Sequence, residues 1–240
     1  HLATSIDHGA NEKLGNIIAV NELYEPSLNQ IPYVATLFDR QIDLVTACGP
    51  AGTAKTYYAL LAGLIQVQEG FYDKIMYIRP LVAAGESLGF YKGTKDEKMS
   101  HWMKPADMSL LSAMGKNGYE KSEFSEKIRS ENMLSLLKKK GFVEYEVLTE
   151  MRGTTLNRTY TVFDEAQSAT VNQFRMVVGR MGKGSKLVST GDFDQIDETG
   201  SRDFYSGLAV GIETLSDKDK VAHIDLPQAT VVRSYLAGLA

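Results

Sequence analysis

The chain has 240 residues, of which 43% are hydrophobic and 23% charged, which is the composition of a globular protein rather than a disordered one. Its formal net charge of -4 shows that the chain lacks the excess of basic residues typical of nucleic-acid-binding proteins, so any contact with nucleic acid must be local. One cysteine excludes an internal disulfide, and four histidines without ligand spacing predict no metal site made of protein side chains alone.

The N-terminal part of the chain reads as a polar arm followed by the first elements of an α/β domain. Residues 1–25 lack the apolar centre of a signal peptide, and no apolar run in the chain could span a membrane, so we expect a flexible arm of a cytoplasmic protein. We expect 26–240 to form a single domain. A short helix over 29–40 precedes a strand over 42–47, a glycine-rich loop, and a helix over 55–69.

Strands and helices continue to alternate along the rest of the chain. Further strands are predicted at 74–80, 143–148, 160–164, 185–190 and 220–226, and further helices at 170–181 and 203–215. This order favours a mainly parallel sheet with helices on both faces. An insertion at about 81–141, with helices near 95–114 and 123–139, is either a substrate-facing feature or a plain surface excursion.

The stretch TACGPAGTAKTYYALLAG nearly matches the phosphate-binding loop G-x-x-x-x-G-K-[ST]. In such loops backbone N–H groups and a helix N-terminus surround phosphate oxygens, a lysine neutralises charge, and a hydroxyl ligates Mg²⁺. Lys55 and Thr56 have these last two roles, while Ala54 replaces the final glycine. A helical backbone at Ala54, expected for a first helical turn, would tolerate the methyl group. The predicted nucleotide-binding residues are Gly49, Pro50, Ala51, Gly52, Thr53, Ala54, Lys55, Thr56 and Tyr57.

Two later strands end in polar residues that belong at the same edge of a parallel sheet. YTVFDEAQ ends a strand with Asp164, predicted to hold Mg²⁺, and Glu165, predicted to activate water. The two carboxylates could instead form a helix N-cap region. KLVSTGDFDQ places Gln195 where it could sense the γ-phosphate, although the same residues are also turn formers. Cys48 is interpreted as a packing residue.

Taken in order, these motifs resemble those of the PhoH-like family of bacterial and viral ATPases. The resemblance spans about 29–234 and is carried by GPAGTAKTYYAL, IRPLVAAGESLGFYKG, MRGTTLNRTYTVFDEAQSAT, RMGKGSKLVSTGDFDQID, SGL and VVRS. It implies a RecA-like P-loop NTPase fold, an αβα sandwich, with Mg²⁺-dependent ATP hydrolysis, in the host cytoplasm if the protein is viral. By resemblance Gln30 reads adenine, Gln195 senses the γ-phosphate, and Arg233 matches an arginine near the C-terminus.

Several partners follow as expectations. Because phosphoryl transfer benefits from an arginine supplied by a neighbour, we expect a homo-oligomer, such as a hexameric ring, in which Arg233 reaches the next subunit's site. Lysines and aromatic residues over 90–105 and 137–142 are compatible with single-stranded RNA or DNA, although helix-ending lysines and a solvated face explain them more simply. From the short N-terminal arm we expect none of the additional RNA-binding or nuclease domains that some relatives carry. A slow nucleotide-dependent switch and a small-molecule kinase remain alternatives.

Overall fold

The structure is a computed structural model that describes most of the chain after the N-terminal arm. The described residues are 26–80, 95–114, 123–148, 151, 153–195 and 206–230, with the backbone alone over 95–102 and 123–129. The predicted arm and parts of the predicted insertion lie outside this description. None of the described helices combines the length and apolarity that crossing a bilayer requires.

The described strands form one six-stranded parallel sheet in the order β3-β2-β4-β5-β1-β6. The strands are β1 Leu44–Cys48, β2 Lys74–Arg79, β3 Val143–Val147, β4 Thr159–Phe163, β5 Lys186–Gly191 and β6 Val221–Asp225. All residues of β1, β4 and β5 are buried, as expected for strands covered on both faces. Because β5 lies between the loop strand β1 and the acidic strand β4, the order confirms the predicted RecA-like α/β fold.

Helices cover both faces of the sheet. They are α1 Ile31–Phe38, α2 Lys55–Gln68, α3 Lys95–Met114, α4 Glu123–Lys139, α5 Val171–Val178 and α6 Gly207–Leu215. Apolar residues of α1 to α4 pack in one core with one sheet face, and those of α5 and α6 pack in a second core with the other. Helix α2 is buried on nearly all sides over 58–67, beyond the single apolar side seen in the sequence, because α1 and α3 pack against it as well as the sheet.

Capping residues explain where the observed helices differ from the predicted ones. Thr170 and Gln173 form a reciprocal capping box, so the helix predicted from 170 begins one residue later. The Ser206 hydroxyl accepts from the N–H of Ala209, which starts α6 at Gly207 rather than at 203. Helix α2 begins at Lys55 as predicted, and Gly70, at a φ of 76°, follows its end.

A buried lysine joins β5 to the end of α1. Lys186 is only 1% exposed, and its Nζ donates to the carbonyls of Thr36, Leu37 and Asp39 at 3.1, 3.0 and 2.7 Å. These carbonyls lie at the C-terminal end of α1, where helix geometry leaves acceptors unsatisfied. Burial lowers the pKa of Lys186 to about 8, against the opposing effect of Asp39 and Asp43.

The insertion helices are attached to the edge strand β3 through one carboxylate. Asp107 of α3 accepts from Lys138 of α4 at 2.6 Å and from the hydroxyl of Tyr145 of β3. The Lys138 ammonium also lies 4.5 Å from the centre of the Tyr145 ring. Lys138, one of the basic residues considered for nucleic-acid contact, is therefore engaged within the protein.

Candidate nucleotide-binding site

The glycine-rich loop follows β1 and has a backbone path that two of its glycines make possible. Gly49 has a φ of 152°, and a Cβ there would lie 2.3 Å from the carbonyl oxygen of Leu226. Gly52 has a φ of 89°. Side chains at these two positions would be strained, and at Gly49 also blocked by Leu226, which follows β6.

Ala54 adopts a left-handed backbone, with φ 62° and ψ 23°. The expectation of a helical backbone at this position is therefore wrong, because α2 starts only at Lys55. L-residues other than Asn and Asp rarely occupy the left-handed region, where Cβ approaches the following carbonyl oxygen. The methyl group is thus retained at a position whose conformation favours glycine.

Lys55, the first residue of α2, directs its ammonium group back into the loop. Its Nζ donates to the carbonyls of Gly49 at 2.5 Å and Pro50 at 2.9 Å, and to the Thr53 hydroxyl at 3.2 Å. Burial lowers the pKa of Lys55, while Asp192, Asp164 and Glu165 oppose that shift. The lysine predicted to clamp phosphates is therefore surrounded by the acidic residues of the neighbouring strand ends.

Asp164 is the centre of a hydroxyl network at the edge of the sheet. Its Oδ1 accepts from Thr56 of α2 at 2.8 Å and from Thr190 of β5 at 2.6 Å, and its Oδ2 accepts from Tyr77 of β2 at 2.7 Å. The carboxylate is 6% exposed. Burial, followed by the charge of Asp164, raises the pKa of Tyr77 well above its usual value. This network joins the loop helix to three neighbouring strands.

The same residues satisfy the chemical requirements of a magnesium ion. Thr56 and Asp164 offer hard oxygen donors only 2.8 Å apart at the mouth of the loop. Mg²⁺ in proteins takes a few such ligands and keeps its remaining sites for water and substrate phosphates. The donor set at this edge of the sheet therefore fits the predicted ion.

Glu165 has both a strained backbone and an engaged carboxylate. Its φ of 53° and ψ of 35° lie in the left-handed region, just before a short 3-10 turn that its side chain does not cap. Its Oε2 accepts from the Gln167 amide at 2.7 Å, and its Oε1 lies 3.8 Å from the Arg79 guanidinium. Strain of this kind is concentrated at functional sites, which favours a chemical role over the capping alternative.

Gln195 lies at the opposite side of the site, in a short turn after β5. The turn is held by Asp192, whose carboxylate accepts from the Gln195 amide at 2.8 Å and from the N–H of Asp194 at 3.1 Å. Asp192 is 6% exposed, whereas Gln195 is exposed and lines the cavity described below. The side chain predicted to sense the γ-phosphate thus faces the site from a fixed turn.

Gln30 lies beneath the loop rather than in the open site. Its side chain is 0% exposed, with Nε2 donating to the Thr53 carbonyl at 3.0 Å and Oε1 accepting from the Ser27 N–H at 2.9 Å. The nearby Tyr33 hydroxyl donates to the Lys55 carbonyl at 2.9 Å. In this structure, then, the residue predicted to read adenine supports the loop backbone from below.

A cavity of about 270 Å³ lies over these elements. Its lining residues are Ala51, Gly52, Ala54, Lys55, Thr56, Tyr57, Ser109, Asp164, Glu165, Gly191, Asp192 and Gln195. Ser109 comes from α3 of the insertion, and nothing in the sequence near it signals a binding residue. Tyr77 was likewise missed, because its hydroxyl reaches Asp164 from a strand that reads only as core. Arg233 lies outside the described residues.

Comparison with known proteins agrees with the motifs. A model of the family described as "PhoH-like protein" matches residues 23–239. A PhoH-like protein of Bacillus subtilis is 38% identical over 207 residues, which cover 86% of this chain and 59% of the relative. One from Mycobacterium tuberculosis is 36% identical over 88% of this chain and 54% of its own length. The chain thus spans little more than half the length of these relatives.

A solved structure of Pif1 helicase from Candida albicans is also similar, with a TM-score of 0.39 and 16% identity over 85% of this chain and 40% of that one. A likeness at this level carries no argument about function. The match to the family model and the sequence identity with curated relatives are sufficient to show the family. This chain belongs to the PhoH-like family.

Proposed function

We propose that this chain binds ATP with Mg²⁺ and hydrolyses it. The observation that carries the proposal is the hydrogen bond between Thr56 and Asp164, which joins the phosphate-loop helix to the acidic strand end at 2.8 Å. A site for phosphoryl transfer needs loop, metal ligands and water-activating group around one point. Lys55 and Glu165 line the same cavity as Thr56 and Asp164.

Binding would use groups that the loop already directs inward. The ammonium of Lys55 donates to loop carbonyls and a hydroxyl, and phosphate oxygens are stronger acceptors for the same three N–H groups. Backbone N–H groups at the start of α2 face the same space. When bound, Mg²⁺ supplies neutralisation of phosphate charge, with Thr56 and Asp164 as the residues that would hold it.

In the proposed hydrolysis, Glu165 accepts a proton from the attacking water. A carboxylate can accept that proton only with a free lone pair directed at the water. Gln167 and Arg79 each contact one oxygen of Glu165, at 2.7 and 3.8 Å, which orients the carboxylate and leaves a lone pair on each oxygen for the water. Gln195, held by Asp192, is placed to contact the terminal phosphate or the water.

The experiment is steady-state phosphate release together with direct ATP binding for wild type, Glu165→Gln and Lys55→Ala. We expect Glu165→Gln to bind ATP normally and to lose about 10²- to 10⁴-fold in turnover, the usual contribution of a general base. Lys55→Ala should lose binding and turnover together. Unchanged turnover in Glu165→Gln would refute the assigned mechanism, and unchanged ATP affinity in Lys55→Ala would refute the site.

A second candidate function is a nucleotide-dependent switch with slow turnover. One observation favours it: the strained Ala54 in the loop. Such a protein would retain ATP through many minutes after rapid gel filtration, whereas an active ATPase would release ADP. The same purified protein distinguishes the two functions.

We extend the proposal to single-stranded RNA or DNA as the partner coupled to hydrolysis, and to a single domain over 26–240 that assembles into a homo-oligomer. Lys139 and Lys140, at the end of α4, are exposed, which supports a contact with the phosphate backbone of a nucleic acid. Lys138, in contrast, is engaged by Asp107. Phosphate release measured with and without polyuridine or oligothymidine tests the coupling. Equal rates with and without both polymers would argue against a polynucleotide partner.

A further inference from the structure

The ends of β1 and β6 bring together three side chains that can bind a metal. The two strands pair in parallel, with Thr46 opposite His223 and Cys48 opposite Asp225. Side chains two residues apart on a strand share a face. One ligand atom from each of Cys48, His223 and Asp225 lies within 4.8 Å of the other two. The sequence gives no sign of this group, because strand pairing brings together residues that are distant in the chain.

Thr46 orients the imidazole of His223. Its hydroxyl oxygen lies 2.9 Å from Nδ1, and the hydroxyl has its own acceptor, the Ala222 carbonyl, at 3.4 Å. When the hydroxyl donates to that carbonyl, its oxygen accepts from Nδ1–H, and Nε2 then carries a lone pair. That lone pair faces Oδ1 of Asp225 at 3.2 Å. In this tautomer two lone pairs face each other, and a metal ion or a proton between the two atoms would remove their repulsion.

The third ligand atom is a buried sulfur. Cys48 is 3% exposed, and its sulfur lies within 4.8 Å of the ligand atoms of His223 and Asp225. Asp225, whose side chain is 79% exposed, can rotate, and the partly exposed face leaves room for a water as fourth ligand.

We propose that Cys48, His223 and Asp225 bind a divalent transition-metal ion at the junction of β1 and β6. Thiolate, imidazole and carboxylate together match Zn²⁺, with Co²⁺ as its spectroscopic substitute, rather than Mg²⁺. Tetrahedral metal–ligand bonds of about 2.0 to 2.3 Å separate ligand atoms by about 3.5 Å. The 3.2 Å pair fits this separation, and since all three atoms lie within 4.8 Å of one another, no pair has to close by more than about 1.3 Å. The thiol proton passes to solvent as the sulfur–metal bond forms.

The test is a titration of metal-free, tag-free protein with Co²⁺, without nucleotide. A sulfur-to-cobalt charge-transfer band should saturate near one equivalent, and Zn²⁺ should abolish it by displacement. Because Cys48 is the one cysteine in the chain, the band reports this site alone. The readout is independent of ATP hydrolysis, so it succeeds or fails separately from the proposed function.

Variants separate this site from incidental binding. Cys48→Ser should remove the band, and His223→Gln and Asp225→Asn should each weaken Co²⁺ binding by about tenfold or more, since even supporting residues contribute that much. Asp43→Asn, the same change near the opposite end of the same strand pair, should leave the affinity unchanged. If His223→Gln does not fold, the exposed Asp225→Asn carries the comparison. Absence of the band, or an affinity unaffected by Asp225→Asn, would overturn the proposal and favour the tautomer in which Nε2–H simply donates to Asp225.

Discussion

Replacing Ala54 by glycine should stabilise the protein, although glycine usually destabilises. At φ 62° an alanine costs roughly 1–2 kcal/mol relative to a relaxed backbone. Glycine removes that strain but loses about 0.4–1 kcal/mol through the greater entropy of the unfolded chain, and losing a partly buried methyl costs less than about 0.8 kcal/mol. We therefore expect Ala54→Gly to gain a few tenths of a kcal/mol.

Ala51→Gly provides a matched control, because it makes the same chemical change three residues earlier in the loop. Ala51 is exposed and is not among the described residues with a positive φ, so glycine relieves no strain there. The two variants should differ in unfolding free energy by about 1 kcal/mol, which is roughly 2–4 °C in melting temperature for a domain of this size.

The assay is thermal unfolding followed by circular dichroism, with both variants and wild type in one buffer without nucleotide. If Ala54→Gly melts at or below Ala51→Gly, the strain argument is refuted. A parallel measurement of phosphate release tests whether the strain also limits turnover. A rate in Ala54→Gly above that of wild type would link the loop conformation to the chemistry.

Three further predictions concern the Asp164 network, the buried lysine Lys186, and Arg233. Tyr77→Phe removes a hydrogen-bond donor to Asp164 and should lower the free energy of unfolding by about 1–3 kcal/mol. Tyr160→Phe should be neutral or stabilising, because the buried Tyr160 hydroxyl has no hydrogen-bond partner within the described part of the chain. Equal losses in urea unfolding would contradict this. Because folding lowers the pKa of Lys186 to about 8, the unfolded chain binds more protons than the folded one between about pH 8 and the usual pKa of 10.5. The contribution of this residue to the free energy of unfolding therefore increases as the pH rises through that range. The stability advantage of wild type over Lys186→Met should therefore grow from about pH 8 to pH 10, and a constant difference would show that the lysine titrates normally. Arg233→Ala should lower turnover by about 10³- to 10⁵-fold with ATP affinity retained, and mixing with the Glu165→Gln variant should restore activity if the arginine acts on a neighbouring subunit; full activity of Arg233→Ala alone would exclude that role.

Periodicity and strand ends allowed much of the fold and site to be predicted. Alternating apolar runs placed the strands, and because parallel strands end at one edge, the loop after β1 and the acids after β4 had to lie near each other. The backbone conformation of Ala54 could not be read in this way, since it depends on the path of the whole loop. The contribution of Ser109 depends on how α3 packs, which local sequence does not encode. The pairing of β1 with β6, which joins Cys48 to Asp225, is set by sheet order rather than by any spacing along the chain.

The carboxylate of Asp107 has an effect beyond holding the insertion helices to β3. It lies two residues before Ser109, on the helix that forms the outer wall of the cavity. Contacts with Lys138 and Tyr145, near the far edge of the sheet, therefore act together with the packing of α3 against α2 to hold that wall above the phosphate loop. A substitution at this distant anchor would alter how tightly a nucleotide is enclosed while leaving every group that touches it chemically unchanged.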